Sequence, residues 1–495
     1  MGISWSSTRQ TAPPVVPSDT VIPVHFWDNS CPGRSMVIFD LFRFDDVLDA
    51  GKLKTSLSKL LDRPGWRKLG ARIRLNKNGN YDYHIPAYFD EERVPFAFHC
   101  EALDININEH PRASRFRRDP NADTPRIQCH EADWIDLMWQ PGDPKGIGDY
   151  LYSDRPILGF RMITFVDATL LTISWPHMVF DTMGHAAFLR AWLLVLNGRD
   201  DEVPEFHGYE SDPLGALGSQ PVERYKYADK QFGTWHVIIL GLRYAWDRLW
   251  DPKAEDGGRT IFVPAAYAQQ LCETARSELK ALQTKGEVSF ISEGDIICAW
   301  WAQQLALALI PKPSNQEVGL YNVYGLRGRL GQDLLPSSRA YVGNAFCSAP
   351  AFMTVKDILT RPLGLIAAAV RQSYMDLSTR DQLEAAMSLA RTAQDKGGAA
   401  LFGSPWMHWI TCSNWTKAGL FDMDFSGALT QRLGEGDHKA GKPTYIQIHA
   451  FQKSMLVSSF VVMGKDAEGN IWLYGHLKEK CWAAVNKILE DAVTR

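Results

Sequence analysis

Apolar positions recur along the chain at spacings that assign most of its elements. Val47, Leu48, Leu53, Leu57 and Leu60-Leu61 return every three or four residues and predict an amphipathic helix over residues 45–61. Beyond Pro64-Gly65, residues 69–75 and 81–85 read as strands joined by Asn78-Gly79, a dipeptide suited to a tight hairpin turn. Residues 158–166 and 170–175 read as a second hairpin around Asp167-Ala168-Thr169, running straight into His177. Residues 182–196 are apolar on nearly every side, so the helix they predict is buried; Asn197-Gly198 ends it. Residues 235–250 form another apolar-rich helix, carrying Arg243, Asp247 and Arg248. It is expected to pack as a crossover between domains, with contact to a membrane surface as the second reading.

The pattern restarts at Arg259. A strand over 260–263 precedes a helix over 265–279, and Ser292-Glu293-Gly294-Asp295 caps a helix over 296–309. One long helix is expected at 355–373, a hairpin over 454–462 and 471–473 around residues 466–470, and a closing helix at 482–489. Residues 104–148 are rich in Asp, Asn, Pro and Gly and read as a surface excursion, and 198–232 read as a charged linker. Hairpins mixed with helices on both sides of that linker argue for two α/β domains, which suits a chain of 495 residues. The expected organisation is a mobile Ser/Thr/Pro-rich arm at 1–20, a first domain at 21–218, a crossover segment at 219–258 and a second domain at 259–495.

Charge and cysteines narrow the class. Lys plus Arg number 53 and Asp plus Glu 57, a net charge of −4, which disfavours a strongly basic nucleic-acid binder. Hydrophobic residues are 45% and charged residues 22%, an ordinary globular mix. The 8 cysteines, Cys31, Cys100, Cys129, Cys272, Cys298, Cys347, Cys412 and Cys481, are scattered, with no CxxC pair. They suggest neither a disulfide scaffold nor a zinc knuckle, and they fit a reducing compartment. The N-terminus lacks an apolar signal core, and no apolar run is long enough to span a bilayer, so a cytoplasmic location is expected. Gly2 and Ser6 match the loose MGxxxS acylation pattern.

The sharpest chemical feature is His177-Met178-Val179-Phe180-Asp181, followed by Gly184. His177 stands where a strand ends and a buried helix begins, and imidazole is the side chain suited to taking a proton near neutral pH. Asp181, one turn on, could orient His177 or bind an arginine and hold the turn in shape. His177, Asp181 and His185 at i, i+4 and i+8 also allow a metal reading, which Pro176 and Gly184 disfavour because they fit a turn better than a continuous helix. Gly436 to Lys442 has Walker A spacing, but Pro443 stands where the magnesium ligand is required. Gly325, Gly328 and Gly331 do not form GxGxxG. Two further segments stand out: Tyr324-Gly325-Leu326-Arg327-Gly328-Arg329, followed by Tyr341-Val342-Gly343-Asn344-Ala345, and Asp424-Phe425-Ser426-Gly427-Ala428, preceded by Ser413-Asn414-Trp415.

In this order and separation, these motifs resemble the BAHD acyl-CoA-dependent acyltransferases, and the fungal trichothecene O-acetyltransferases in particular. The resemblance runs from about residue 21 to 482 and includes the hairpin into His177, Phe188, Trp192 and the hairpin at 466–473. It implies two chloramphenicol-acetyltransferase-like domains, each a mixed sheet flanked by helices, with the active site in a channel between them. It implies His177 as general base on the acceptor hydroxyl or amine of a specialised metabolite, and acyl-CoA as co-substrate with no tightly bound cofactor. Trp415, with Ser413 nearby, would stabilise the oxyanion. Asp181, Asp424, Arg327 and Gly184 would support the site, Asp424 pairing with Arg327. The partners implied are a small-molecule acceptor and acyl-CoA, without nucleic acid or stable membrane insertion, on a monomer.

Three departures stand in the sequence. Thr182 replaces the glycine of HxxxDG, Ser426-Gly427-Ala428 replaces the end of DFGWG, and the Gly-Lys-Pro that normally follows at once appears only at Gly441-Lys442-Pro443. These departures motivate two other readings: a CoA-independent catalyst on the same scaffold, using His177 as base for cyclisation or elimination, and a non-catalytic small-molecule binding protein. Peptide-synthetase condensation domains carry two adjacent histidines, and here Pro176 precedes His177.

Overall fold

The structure, a computed structural model, describes residues 11–29, 33–116, 122–250, 256–282, 288–310, 312–331, 333–431, 439–451 and 458–491. Two large sheets organise it. The first has five strands in the order Tyr445–Ala450, Val37–Phe44, Thr169–Pro176, Gly159–Thr164 and Ala97–Ala102. Val37–Phe44 and Thr169–Pro176 are buried at every position, as central strands covered on both faces must be. The second has seven strands in the order Phe346–Thr354, Glu317–Gly325, His408–Asn414, Ser459–Lys465, Ile471–Lys478, Asp256–Val263 and Arg126–His130. Both sheets mix parallel and antiparallel pairs.

The sheets exchange strands. Tyr445–Ala450, from the far end of the chain, pairs antiparallel with Val37–Phe44. Arg126–His130, from the first half, pairs antiparallel with Asp256–Val263. Neither sheet is therefore built from one side of the 219–258 segment alone. A strand's own periodicity does not state which edge it joins.

Helices cover the sheets where the apolar pattern predicts them. Ala50–Leu61 and Thr182–Leu196 pack together on the first sheet, with Trp192 Nε1 donating to Ser56 Oγ at 3.0 Å. Glu293–Leu309 starts at the expected Ser292 cap, and Asp295 closes the reciprocal bond to the cap backbone. Val47–Leu48 is drawn into a short strand against Leu429–Gln431, so the first helix begins at Ala50 behind the Asp49 cap. The long helix expected at 355–373 is two helices, Val355–Thr360 and Leu363–Leu377. Pro362 separates them because it lacks the N–H that would continue the ladder.

Three other expectations are corrected. Residues 104–148 are not only a surface excursion: they supply the strand Arg126–His130 and the helix Glu131–Met138, whose Trp134 is fully buried. The N-terminal arm is pinned at its end, where Asp19 accepts from Arg93 Nη1 at 2.6 Å and Nη2 at 2.8 Å. The helix Thr234–Trp250 is not packed between domains, and much of its apolar surface faces outward. Gly2, Ser6 and Cys31 lie outside the described residues, as do Gly436 and residues 454–457.

Candidate active site

The strand Thr169–Pro176 is bonded along its length to Val37–Phe44 on one side and, over residues 169–174, to Gly159–Thr164 on the other. It delivers His177 as the first residue of a turn closed by Val179 N donating to Pro176 O at 2.8 Å. His177 N donates to Met36 O at 2.8 Å, and Tyr83 Oη donates to Met178 O at 3.2 Å. Asn344 Nδ2, from the second half of the chain, donates to His177 O at 3.0 Å. The backbone under the imidazole is thus held from three directions.

The ring itself is half-buried, with Nδ1 enclosed and without a hydrogen-bond partner among the described residues. Gly33 runs beside the ring, and a Cβ there would sit in ordinary contact with Nδ1 at 3.4 Å. Burial pushes the His177 pKa below the usual 6.5, against the opposing pull of its own carbonyl, Asp181 and Asn344. The imidazole is therefore neutral, the form that accepts a proton, at pH 7.

Asp181 caps the helix Thr182–Leu196, its Oδ1 accepting from Gly184 N at 2.8 Å. Its carboxylate also takes both ends of Arg327: Nη1 to Oδ2 at 3.0 Å and Nη2 to Oδ1 at 3.0 Å. Ala345 N adds a third bond to Oδ2 at 2.9 Å. Arg327 further donates to Gly343 O at 2.7 Å and Tyr341 O at 3.3 Å. One carboxylate thereby fastens the His177 turn to the segment 341–345. Gly184 permits the contact: a Cβ there would lie 1.8 Å from Val342 O.

Asn344, singled out in the sequence only as part of its segment, links this clamp to a residue that the pattern did not reveal. Its N and Nδ2 donate to Asp28 Oδ1 at 2.6 and 2.9 Å. Burial raises the Asp28 pKa to about 7, with Lys68 and the two Asn344 bonds pulling the other way. Nothing in the turn around Asp28 marks it, since its role depends on a residue more than 300 positions away.

The pairing of Asp424 with Arg327 is not what the structure shows. Arg327 belongs to Asp181, while Asp424 is exposed and its Oδ1 accepts from Ser426 N at 2.9 Å. Sequence order does not tell which of two carboxylates an arginine reaches. Phe425 is buried beside Phe44 at 4.9 Å between ring centres. Phe425 N donates to Gly441 O at 2.8 Å, and Gly441 N donates to Asp46 Oδ2 at 2.7 Å. Gly441 has φ +76°, and a Cβ on it would meet Ser426 N at 2.5 Å, so the approach requires glycine. Gly441-Lys442-Pro443 is distant from Phe425 in sequence and adjacent to it in space.

Trp415 N donates to Val462 O at 2.8 Å, which fixes the residue at the end of His408–Asn414. Its indole Nε1 donates to Ser413 Oγ at 2.9 Å. The N–H expected to face an oxyanion is thus engaged, and among the described residues the Ser413 hydroxyl hydrogen has no acceptor. Among the described residues, no hydrogen bond or ring contact joins Ser413 or Trp415 to His177. The site falls into a tight group, His177, Asp181, Gly184 and Arg327, and a separate Ser413–Trp415 pair.

His185 does not converge with His177 and Asp181. It packs in the core against Trp175, 4.2 Å between ring centres and tilted by 33°, with Nδ1 3.5 Å from Asp40 Oδ2. Burial pushes its pKa down to about 3 and raises that of Asp40. Among the described residues no group of three or more His, Cys, Asp and Glu side chains is arranged to hold a metal ion. A cavity of about 270 Å³ lies against the first sheet, lined by Phe39, Met138, Tyr150, Phe160, Thr172 and Ser174 among others. It borders the strand that ends at His177 without including that residue.

No family model matches the chain. It is 39% identical, over 98% of its own length and 98% of the relative's, to the acetyltransferase adrJ of Penicillium roqueforti. It is 38% identical, over 98% of each chain, to calD of Penicillium decumbens, which is named a transcriptional regulator. Its fold is similar to that of TRI101 from F. sporotrichioides complexed with coenzyme A and T-2, with a TM-score of 0.64 at 17% identity, covering 94% of this chain and 97% of that one.

Proposed function

The chain belongs to the BAHD acyl-CoA-dependent acyltransferases, and on that premise we propose that His177 is the general base of acyl transfer to a hydroxyl of a specialised metabolite. Neutral His177 takes the acceptor proton as the oxygen attacks the thioester carbonyl. The tetrahedral intermediate then expels the CoA thiolate, which recovers the proton from His177. The thioester already carries the activation, so acyl-CoA serves as co-substrate and no tightly bound cofactor is required. Ser413 supplies the oxyanion donor, its hydroxyl polarised by the Trp415 indole N–H. Asp181, Arg327 and Gly184 are positioning residues that hold the His177 turn against the segment 341–345. The enzyme works as a monomer in the cytoplasm; scattered cysteines support the compartment, and no described helix is long and apolar enough to cross a membrane.

The observation that carries this reading is the state of His177: backbone clamped from three sides, Nδ1 enclosed, and pKa lowered by burial. The return of Gly441 to Phe425 supports CoA use over the CoA-independent and non-catalytic readings, since it restores in space a turn the sequence leaves interrupted. A net charge of −4 gives a DNA-binding regulator no surplus of cations for phosphate. The test is release of free thiol from acetyl-CoA with a panel of hydroxylated acceptors. His177→Ala is expected to lower turnover about 10²–10⁴-fold without a change in melting temperature. Near-normal turnover in that variant would remove His177 from the chemistry.

A further inference from the structure

The first sheet carries a hollow on the face turned away from its helices. Phe42 and Trp175 face the helix Thr182–Leu196, their ring centres 6.3 and 4.2 Å from that of His185. Successive strand residues alternate sides, so Phe39, Thr172 and Ser174 face the other way. Phe39, Ser174, Gly159 and Ala97 are register partners across four strands. Serine, glycine and alanine stand side by side in that row, so the sheet surface dips there. A Cβ on Gly159 would stand 2.5 Å from Ser174 Oγ, so the hydroxyl uses space that the glycine leaves. The loop after Met138 covers the hollow and is fastened from below. Arg161 Nη1 donates to Asp136 O at 2.8 Å and to Trp139 O at 3.2 Å, and Arg155 Nη2 donates to Gly142 O at 2.9 Å. Small side chains beneath and a tied loop above enclose the cavity of about 270 Å³. Packed interiors hold few voids larger than a water, and small-molecule pockets begin near ~300 Å³.

Resting on acyl transfer at His177, we propose that this cavity receives the carbon skeleton of the acceptor, and that the acceptor is an uncharged, compact, largely hydrocarbon alcohol with a second oxygen at Ser174 and Thr172. Position supports the assignment. Ser174 lies three residues before His177 on the strand Thr169–Pro176 and its turn, ~10 Å at ~3.3 Å per residue. An acceptor with its reacting hydroxyl at His177 covers that span with a skeleton of two rings. The lining sets the chemistry. Phe39, Met138, Leu158 and Phe160 make the walls apolar. Arg155 and Arg161 are committed to the carbonyls of the covering loop, and Asp143 adds a carboxylate at the rim, so an anionic ligand finds no free cation. That excludes the phosphates of CoA. Every lining residue falls between Phe39 and Ser174, and none comes from the strand His408–Asn414 that carries Ser413. The cavity therefore serves the acceptor side of the reaction and not the thioester side. Thr172 is 2% exposed, and its Oγ1 has no hydrogen-bond partner among the described residues. A buried hydroxyl of this kind favours a ligand oxygen over hydrocarbon at that point.

Titration calorimetry of the full-length protein with a decalin diol tests this, the two hydroxyls standing at opposite ends of a two-ring skeleton. The protein should bind the diol about tenfold more tightly than the decalin mono-alcohol, which lacks the second oxygen, and decalin carboxylate more weakly than either. Ser174→Ala combined with Thr172→Val should erase the preference for the diol. Ala97→Leu, on the edge strand, should fill the hollow and weaken both alcohols by about tenfold. It also carries the test should the double variant melt early. In turnover with acetyl-CoA, Ala97→Leu should raise KM for the diol and leave KM for acetyl-CoA unmoved. No binding of the diol, equal affinity for the two alcohols, or tighter binding of the carboxylate overturns the inference, as does a preference that survives the double variant. Unaltered turnover of the diol by Ala97→Leu keeps acyl transfer and removes the cavity from it. Diol binding that the variants weaken, with no thiol released by any alcohol, overturns acyl transfer itself and with it the acceptor role of the cavity.

Discussion

Replacing Asp181 by alanine should cost far more than an ordinary surface substitution, and the structure says why. One carboxylate satisfies Gly184 N, Ala345 N and both terminal nitrogens of Arg327. Losing the helix cap alone costs about 1 kcal/mol. Leaving the buried Ala345 N–H unpaired costs about 1–3 kcal/mol. Stripping a largely buried arginine of its partner costs about 3–5 kcal/mol. These losses share one group and do not add, so the expected total is about 3–5 kcal/mol. At about 2–4 °C per kcal/mol for a unit of this size, the melting temperature should fall by about 10 °C. Asp181→Asn keeps the cap but loses the charge, and should lie between the parent and the alanine variant. Differential scanning calorimetry of Asp181→Ala, Arg327→Met and the double variant forms a cycle, and the double variant should cost well below the sum of the singles. Turnover should fall with stability, because Ala345 adjoins Asn344, which holds the His177 carbonyl. Additive costs, or an alanine variant that melts with the parent, would refute the clamp.

Gly184→Ala should destabilise by about 3 kcal/mol in a denaturant melt, since its methyl group would be 1.8 Å from Val342 O; full tolerance would mean that the segment 341–345 yields freely. Ser413→Ala should lower kcat by about 10²–10³-fold with KM little changed, and Trp415→Phe by a smaller factor; the reverse order in a side-by-side kinetic comparison would restore Trp415 as the direct donor. The acid limb of kcat/KM should have its midpoint below pH 6.5, because burial lowers the His177 pKa; a limb centred above that value would contradict the neutral base. The same shift sets the sign for stability. Between the native pKa and 6.5 the unfolded chain binds a proton at His177 that the native chain does not, so this residue's contribution is lost as pH falls through that window.

Local order was legible in the sequence because its causes are local. The buried helix Thr182–Leu196 follows from apolar residues on every side, the hairpin into His177 from a turn between two apolar runs, and the Glu293–Leu309 start from a reciprocal cap. Each signal depends on residues within a few positions of one another, and the spacing of His177, Asp181 and Gly184 belongs to the same class. Choices between distant partners were settled only by the tertiary structure. Arg327 could have met either Asp181 or Asp424, and the close approach of Gly184 to Val342 O decides for Asp181. Tyr445–Ala450 joins the first sheet only through its pairing with the edge of Val37–Phe44. Gly441 rejoins Phe425 across a stretch of chain whose length conceals the pair. Asp28 acquires its role from Asn344, and the docking of the helix Thr234–Trp250 through Arg243 onto the carbonyls of Pro405 and Met407 is equally a long-range contact. Periodicity identifies which residues share a face; what lies against that face is fixed by the geometry of the rest of the chain.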